Sequence, residues 1–194
     1  EGGPAEGTVD HDLERRGAAP TERARSRVKL ESLEGLLAAP RDARELELSF
    51  SYRAPLVALP AQLVEFGQLE ALTLACGEQF SDLSGVRPLV GLKSLRVCGA
   101  HRLADLSALG ALQRLEVLEL SSVYDAKRFD VLASLPALRE LVLQRTQVDD
   151  DGLRLLARCE RLEVLDVSSC HGYDGEGFSA WEGHAALREL DVSS

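Results

Sequence analysis

The 194-residue sequence contains no methionine, no isoleucine and no asparagine, and only 5% of it is aromatic. Without Asn there is no N-glycosylation sequon. No apolar run approaches the roughly 20 residues that span a bilayer, and the first 25 residues are charged rather than signal-like. A soluble, cytoplasmic chain is expected. Positive charge is scarce as well: 22 Lys and Arg face 32 Asp and Glu, leaving a net charge of −10. That balance argues against nucleic-acid backbones and anionic membranes, which select basic surfaces, and points to a protein partner with a basic patch. Lysine is nearly missing, with 3 Lys against 19 Arg, and this codon bias predicts a GC-rich, bacterial source. The four cysteines, Cys76, Cys98, Cys159 and Cys170, lack the paired short spacing of a zinc site, and His11, His101, His171 and His184 are scattered. Neither a Gly-rich phosphate loop nor any other cofactor or metal motif is present. Reduced thiols are expected in a domain large enough to do without disulfides.

Leucine is abundant, with 36 copies, and its arrangement is periodic. The phrase L-x-x-L-x-L recurs as QLEALTLACG, GLKSLRVCGA, RLEVLELSSV, ALRELVLQRT, RLEVLDVSSC and ALRELDVSS. A seventh copy, DARELELSFS, carries Ala43 for the first Leu. The phrases start at 43, 69, 92, 115, 138, 162 and 187, so the period is 23 to 26 residues. Within each phrase the fourth and sixth residues, such as Leu118 and Leu120, lie two apart, and a strand points both into one core. A second apolar series follows at helical spacing, as in Leu103, Leu106, Leu109 and Leu112. One such unit cannot bury its leucines alone. Neighbouring units must stack, and their strands must form a parallel sheet on the inside of a curve.

These phrases resemble the leucine-rich-repeat family. The resemblance covers residues 43–194 and implies an α/β solenoid, a horseshoe arc with a concave parallel sheet and about seven repeats. The stretch VDDDGLRLLARCERLEVLDVSSC resembles the cysteine-containing repeats of F-box proteins, whereas LADLSALGALQRLEVLEL is closer to the short bacterial or phosphatase-regulator type. The family places Asn at the ninth position of each phrase. Here that column reads Ser51, Gly77, Ala100, Val123, Thr146 and Cys170, so less regular ascending loops are expected, with Cys170 as a small packing residue. Residues 1–27 read as a linker and residues 28–42 as an N-terminal capping strand and helix. The array ends at DVSS without a cap, which predicts further chain or a partner on that end.

Outward-facing strand positions form three columns. The third-position column is Glu45, Ala71, Ser94, Val117, Glu140, Val164 and Glu189; the fifth is Glu47, Thr73, Arg96, Glu119, Val142, Asp166 and Asp191. The seventh is Ser49, Ala75, Cys98, Ser121, Gln144, Ser168 and Ser193. Acidic and small side chains dominate, which suits a basic partner. Larger groups collect just beyond the strands: Phe50, Tyr52, Arg53, Phe80, His101, Tyr124, Arg145, His171 and Tyr173. Tyr and Arg favour interface anchoring, with the alternative for Phe80 and Tyr173 that they are loop residues tucked into the core. The candidate partner-binding residues are therefore Glu47, Arg96, Glu119, Asp166 and Asp191 on the face, with Tyr52, Tyr124, Arg145, His171 and Tyr173 on the rim.

Catalysis is not expected. Cys170 and His171 are sequence neighbours, and adjacency does not supply nucleophile-to-base geometry or a third orienting group. The run Asp149, Asp150, Asp151, Gly152 reads as a helix N-terminus rather than a calcium loop. The sequence thus predicts a protein-recognition module. The F-box resemblance implies an alternative, the substrate-docking or sensor arm of a larger assembly such as a ubiquitin-ligase-like receptor or a defence ATPase.

Overall fold

The computed structural model describes residues 27–49 and 56–193. Its eight strands are β1 (Arg27–Leu30), β2 (Glu45–Ser49), β3 (Ala71–Ala75), β4 (Ser94–Cys98), β5 (Val117–Ser121), β6 (Glu140–Val142), β7 (Val164–Asp166) and β8 (Glu189–Asp191). All are parallel, in one sheet, in chain order. Seven strands coincide with the seven phrases. The eighth, β1, lies in the stretch assigned to the cap and is followed by helix α1 (Leu33–Ala38). Between strands the chain returns through short 3₁₀ segments at Ala61–Glu65, Ser84–Val86, Ser107–Ala111, Asp130–Ser134 and Glu176–Trp181, and through one helix, α2 (Asp150–Leu156). The helical series beginning at Leu103 narrows to Ser107–Ala111, because a tight three-residue turn already carries Leu109 and Leu112 back to the core.

In the first six phrases positions one, four and six fill that core, whereas in the last phrase Leu190 and Val192 are exposed. Leu115, Leu118 and Leu120 have no exposed surface, and neither do Leu138, Leu141 and Leu143 to within one percent. Phe66, Phe80 and Phe129 are fully buried in the same core cluster. Each fully buried leucine contributes about 2 kcal/mol of transfer free energy. The contribution is realised only between stacked repeats, since each strand pairs solely with its sequence neighbours.

The missing asparagine column does not make the ascending turns irregular. In four consecutive repeats the eighth phrase residue adopts a left-handed backbone: Gly99 at φ 76°, Ser122 at 56°, Arg145 at 53° and Ser169 at 57°. Each of these amides donates to the carbonyl at position seven of the next repeat, at Ser121, Gln144, Ser168 and Ser193, over 2.7–3.2 Å. Backbone groups thus satisfy one another across repeats, and the ninth position is free to be apolar. Ala100 and Val123 are buried there. Thr146 donates its hydroxyl to the Leu143 carbonyl at 2.9 Å, and the Cys170 thiol donates to the same oxygen at 2.9 Å.

A second regularity runs along the entry edge of the sheet. The second phrase position reads Arg44, Glu70, Lys93, Glu116, Arg139, Glu163 and Arg188, with strictly alternating sign. Glu70 is bracketed by Arg44 at 3.1 Å and Lys93 at 3.2 Å, and Glu163 by Arg139 and, at 3.9 Å, Arg188. At the N-terminal end Arg41 serves a different purpose. Its guanidinium donates to the Leu36 and Leu37 carbonyls at the end of α1, pairs with Glu65 at 2.8 Å and lies 4.9 Å over the Phe66 ring.

Three substitutions test these periodic features. Gly99→Ala puts a Cβ 2.9 Å from the Cys76 carbonyl oxygen on a left-handed backbone, and urea titration should show a loss of about 1–3 kcal/mol. Ser122→Gly relieves the same backbone cost and should leave stability equal or slightly higher. Glu70→Lys places three cations side by side and should cost about 1 kcal/mol at low salt, shrinking in 1 M salt (roughly one 3 Å Debye length) because these groups are solvent-exposed.

Candidate functional site

Strand register confirms the columns on the concave face. Glu47, Thr73, Arg96, Glu119, Val142, Asp166 and Asp191 are successive partners, as are Glu45, Ala71, Ser94, Val117, Glu140, Val164 and Glu189. β1 extends both columns with cations, Arg27 beside Glu45 and Lys29 beside Glu47. The face is electrostatically divided. In its N-terminal half, Glu47 is held by Arg27 at 3.2 Å and Lys29 at 3.1 Å, and these two, Lys29 foremost, keep its carboxyl below the usual range. Glu119 faces Arg96 at 3.7 Å and accepts from the Ser121 hydroxyl at 3.1 Å.

The C-terminal half lacks such partners. Glu140, Asp166, Glu189 and Asp191 have no ion pair among the described residues, and with Val142, Val164 and Leu165 they line a concavity of about 300 Å³. Asp166 accepts from Gln144 Nε2 at 2.7 Å and the Ser168 amide at 2.8 Å. Asp191 accepts from the Ser193 amide at 2.9 Å, which lowers its pKa and keeps it ionised. Carboxylates around a valine floor fit a cation on an aliphatic stem.

On the rim the structure brings Tyr124, Arg145 and His171 together. With Thr146, Gln147 and Ser169 they line a cavity of about 400 Å³. Tyr124 is 40% exposed and its ring stacks on His101 at 4.8 Å. Tyr173 does not join them: its hydroxyl reaches the Val167 carbonyl at 3.4 Å and its ring packs edge-on against Phe178 at 5.5 Å, leaving it half-buried. Phe80 is fully buried. Tyr52, Phe50 and Arg53 lie outside the described residues. Glu140 and Glu189, which the sequence places in the third-position column but not among the candidate residues, also line the acidic concavity, and summing cations strand by strand would have shown that half of the face to be unpaired. Another concavity, about 460 Å³, lies around Gln113, Pro136, Arg158 and Arg161 and contains none of the candidate residues.

The remaining candidates have structural roles in the fold. Asp149 caps α2 by accepting from the Gly152 amide at 2.8 Å. The Asp150 carboxylate crosses to the next repeat and accepts from the Asp174 amide at 2.9 Å and the Gly177 amide. Gly177 is required there, since a Cβ would lie 2.6 Å from the Asp150 carbonyl oxygen. All four cysteines are free thiols. Burial pushes Cys76 up to about 12 and Cys98 and Cys159 up to about 11, so these three remain protonated and unreactive at neutral pH. Among the described residues no group of three His, Cys, Asp or Glu side chains is placed to hold a metal ion. No described helix is long and apolar enough to cross a membrane.

Internalin F of Listeria monocytogenes superposes on 85% of the chain with a TM-score of 0.68 at 19% identity. The chain has the leucine-rich-repeat fold. A solved structure of TLR13 in complex with ssRNA13 aligns with 86% of this repeat chain at a TM-score of 0.61 and 19% identity. In sequence, the repeats are 35% identical over 111 residues, 57% of the chain, to a candidate adenylate cyclase regulatory protein of Trypanosoma equiperdum. The repeat chain spans 17% of that relative, 45% of the internalin and 23% of the TLR13 chain. No protein-family model matches. The matches include a bacterium and a trypanosome, so they leave the bacterial source an expectation from composition alone.

The carboxylates that cap turns set the pH response of the repeats. Backbone amides lower the pKa of Asp82, Asp105, Asp150 and Asp191. A depressed folded-state pKa contributes stability that is present above the unfolded value, about 4, and is lost as pH falls through the folded values. Trp181, the single tryptophan, donates to the Leu153 carbonyl at 3.0 Å and reports on the α2 junction. Its fluorescence melting temperature should fall between about pH 5 and pH 3, and Asp150→Ala should lower it at neutral pH while weakening that acid dependence.

Proposed function

We propose that this solenoid is a protein-recognition module that binds a basic polypeptide segment on the C-terminal half of its concave face. One observation carries the reading: Glu140, Asp166, Glu189 and Asp191 converge on a valine-floored concavity without a cation partner among the described residues, whereas Glu47 and Glu119 are already satisfied. The partner's Lys or Arg side chains supply the missing counter-charge, and the small residues around them allow close approach. The Tyr124–Arg145–His171 rim adds contact area beside that face. Catalysis is not part of this role.

A larger assembly in which these repeats serve as the docking or sensing arm is consistent with the trypanosome relative, of which the matched repeats are a small part. On that reading Asp166→Asn with Asp191→Asn would impair the full-length protein's activity in its source cell. Unchanged activity would remove it.

The face itself is tested with a labelled oligo-lysine peptide and fluorescence anisotropy. Asp166→Asn combined with Asp191→Asn should weaken binding about tenfold at low salt, and the difference should collapse as the Debye length falls. Glu47→Gln should change affinity less than about twofold, because that carboxylate already has two cations. Equal effects from the two ends of the face would refute the assignment.

A further inference from the structure

The rim cavity has the opposite electrostatic character from the sheet beside it. No Asp or Glu lines the space bounded by Tyr124, Arg145, Thr146, Gln147, Ser169 and His171, in a chain of net charge −10. The Arg145 side chain is exposed and has no ion-pair or hydrogen-bond partner among the described residues; Arg114, Arg158 and Arg161 are equally unpaired, but the cavity that Arg158 and Arg161 line includes Glu160. Position also sets it apart. The fold demands a left-handed backbone at this point of the repeat, which Gly99, Ser122 and Ser169 meet with small residues, yet here a long cationic side chain occupies it. Small residues on either side leave the guanidinium sterically open. Tyr124, whose ring lies tilted against His101 with centroids 4.8 Å apart, walls one side, and Thr146 and Gln147 offer neutral polar groups.

We propose that this cavity accepts a single carboxylate side chain, Asp or Glu, from the same polypeptide partner whose basic residue lies over the carboxylates of β6–β8. The proposal rests on the acidic-face reading and adds a second, opposite requirement. A guanidinium fork matches a carboxylate in two parallel hydrogen bonds, and an adjoining aromatic wall excludes water from one side. Arg145 is three residues beyond Val142, in the turn that follows β6, so at most about 11 Å of backbone separates it from the floor of the acidic concavity. An extended partner therefore needs its cation and its anion about three residues apart. A nucleic-acid backbone fits poorly, since Asp166, Glu140 and the overall charge would repel its successive phosphates, whereas one carboxylate with a neighbouring cation matches both sites.

The test uses the full chain, ¹⁵N-labelled, with three blocked peptides containing Lys-Ala-Ala-Glu, Lys-Ala-Ala-Gln or Gln-Ala-Ala-Glu, and a short oligouridylate. The Lys/Glu peptide should bind about fivefold tighter than the Lys/Gln peptide and should alone shift the Arg145, Ser169 and His171 amides. Arg145→Gln should bring the Lys/Glu-to-Lys/Gln affinity ratio, both measured on that variant, down to about one. Arg145→Gly, which suits the left-handed backbone and cannot fail through strain, should do the same. Equal affinity for the Lys/Glu and Lys/Gln peptides would overturn the carboxylate site while leaving the acidic face intact. Failure of both lysine peptides to bind would overturn the two together. Arg145-dependent binding of the oligouridylate in place of the Lys/Glu peptide would show a phosphate occupant and also refute the proposal.

Discussion

Everything in this molecule depends on parallel strand pairing between consecutive repeats. A repeat of 23 to 26 residues has too little apolar surface to enclose itself, and its leucines leave water only when a neighbour's leucines stack against them at the spacing of paired strands, about 4.8 Å. That spacing imposes columns: any residue at a given phrase position lies beside the same position one repeat away. Leu72, Leu95, Leu118, Leu141 and Leu165 form one such column in the core, and the carboxylates form others on the concave face. The surface chemistry is therefore a consequence of the packing geometry, because a charge placed once per repeat becomes a line of charges.

The lines are not uniform, and their departures from uniformity define the candidate site. β1 brings Arg27 and Lys29 to Glu47, and Arg96 interrupts the fifth-position column before Glu119, so the first part of the face is internally compensated. After Arg96 no cation enters the outward columns, and the unneutralised carboxylates gather over Val142 and Val164. The ascending turns then place Arg145 next to this acidic surface, only three positions along the chain from Val142. Two surfaces of opposite charge share the same repeats.

Much of the architecture was legible because it follows from periodicity. Strand positions, the parallel order and the inward residues could all be derived from Leu118, Leu120 and their equivalents, and the register places the outward columns as expected. The helical series was less legible: spacing alone does not distinguish an α-helix from the 3₁₀ turn at Ser107–Ala111. The ascending loops were misread for a different reason. Side chains were sought at the ninth position, while the ordering comes from left-handed backbone at the eighth, which Ser122 and Arg145 do not announce. On the rim, Tyr124, Arg145 and His171 were identifiable as large residues beyond strands, and Phe80 and Tyr173, for which the sequence left a tucked-in loop position open, turn inward, Tyr173 against Phe178.

The alternating charges at the second phrase position constrain how such an array can change length. Arg44, Glu70, Lys93, Glu116, Arg139, Glu163 and Arg188 are compatible because every neighbour differs in sign. Excising one internal repeat brings two like charges together, as does inserting one, while adding or removing a consecutive pair leaves the alternation intact. The edge of the sheet thus has a parity, and only a change of two repeats at a time preserves its alternation of charge.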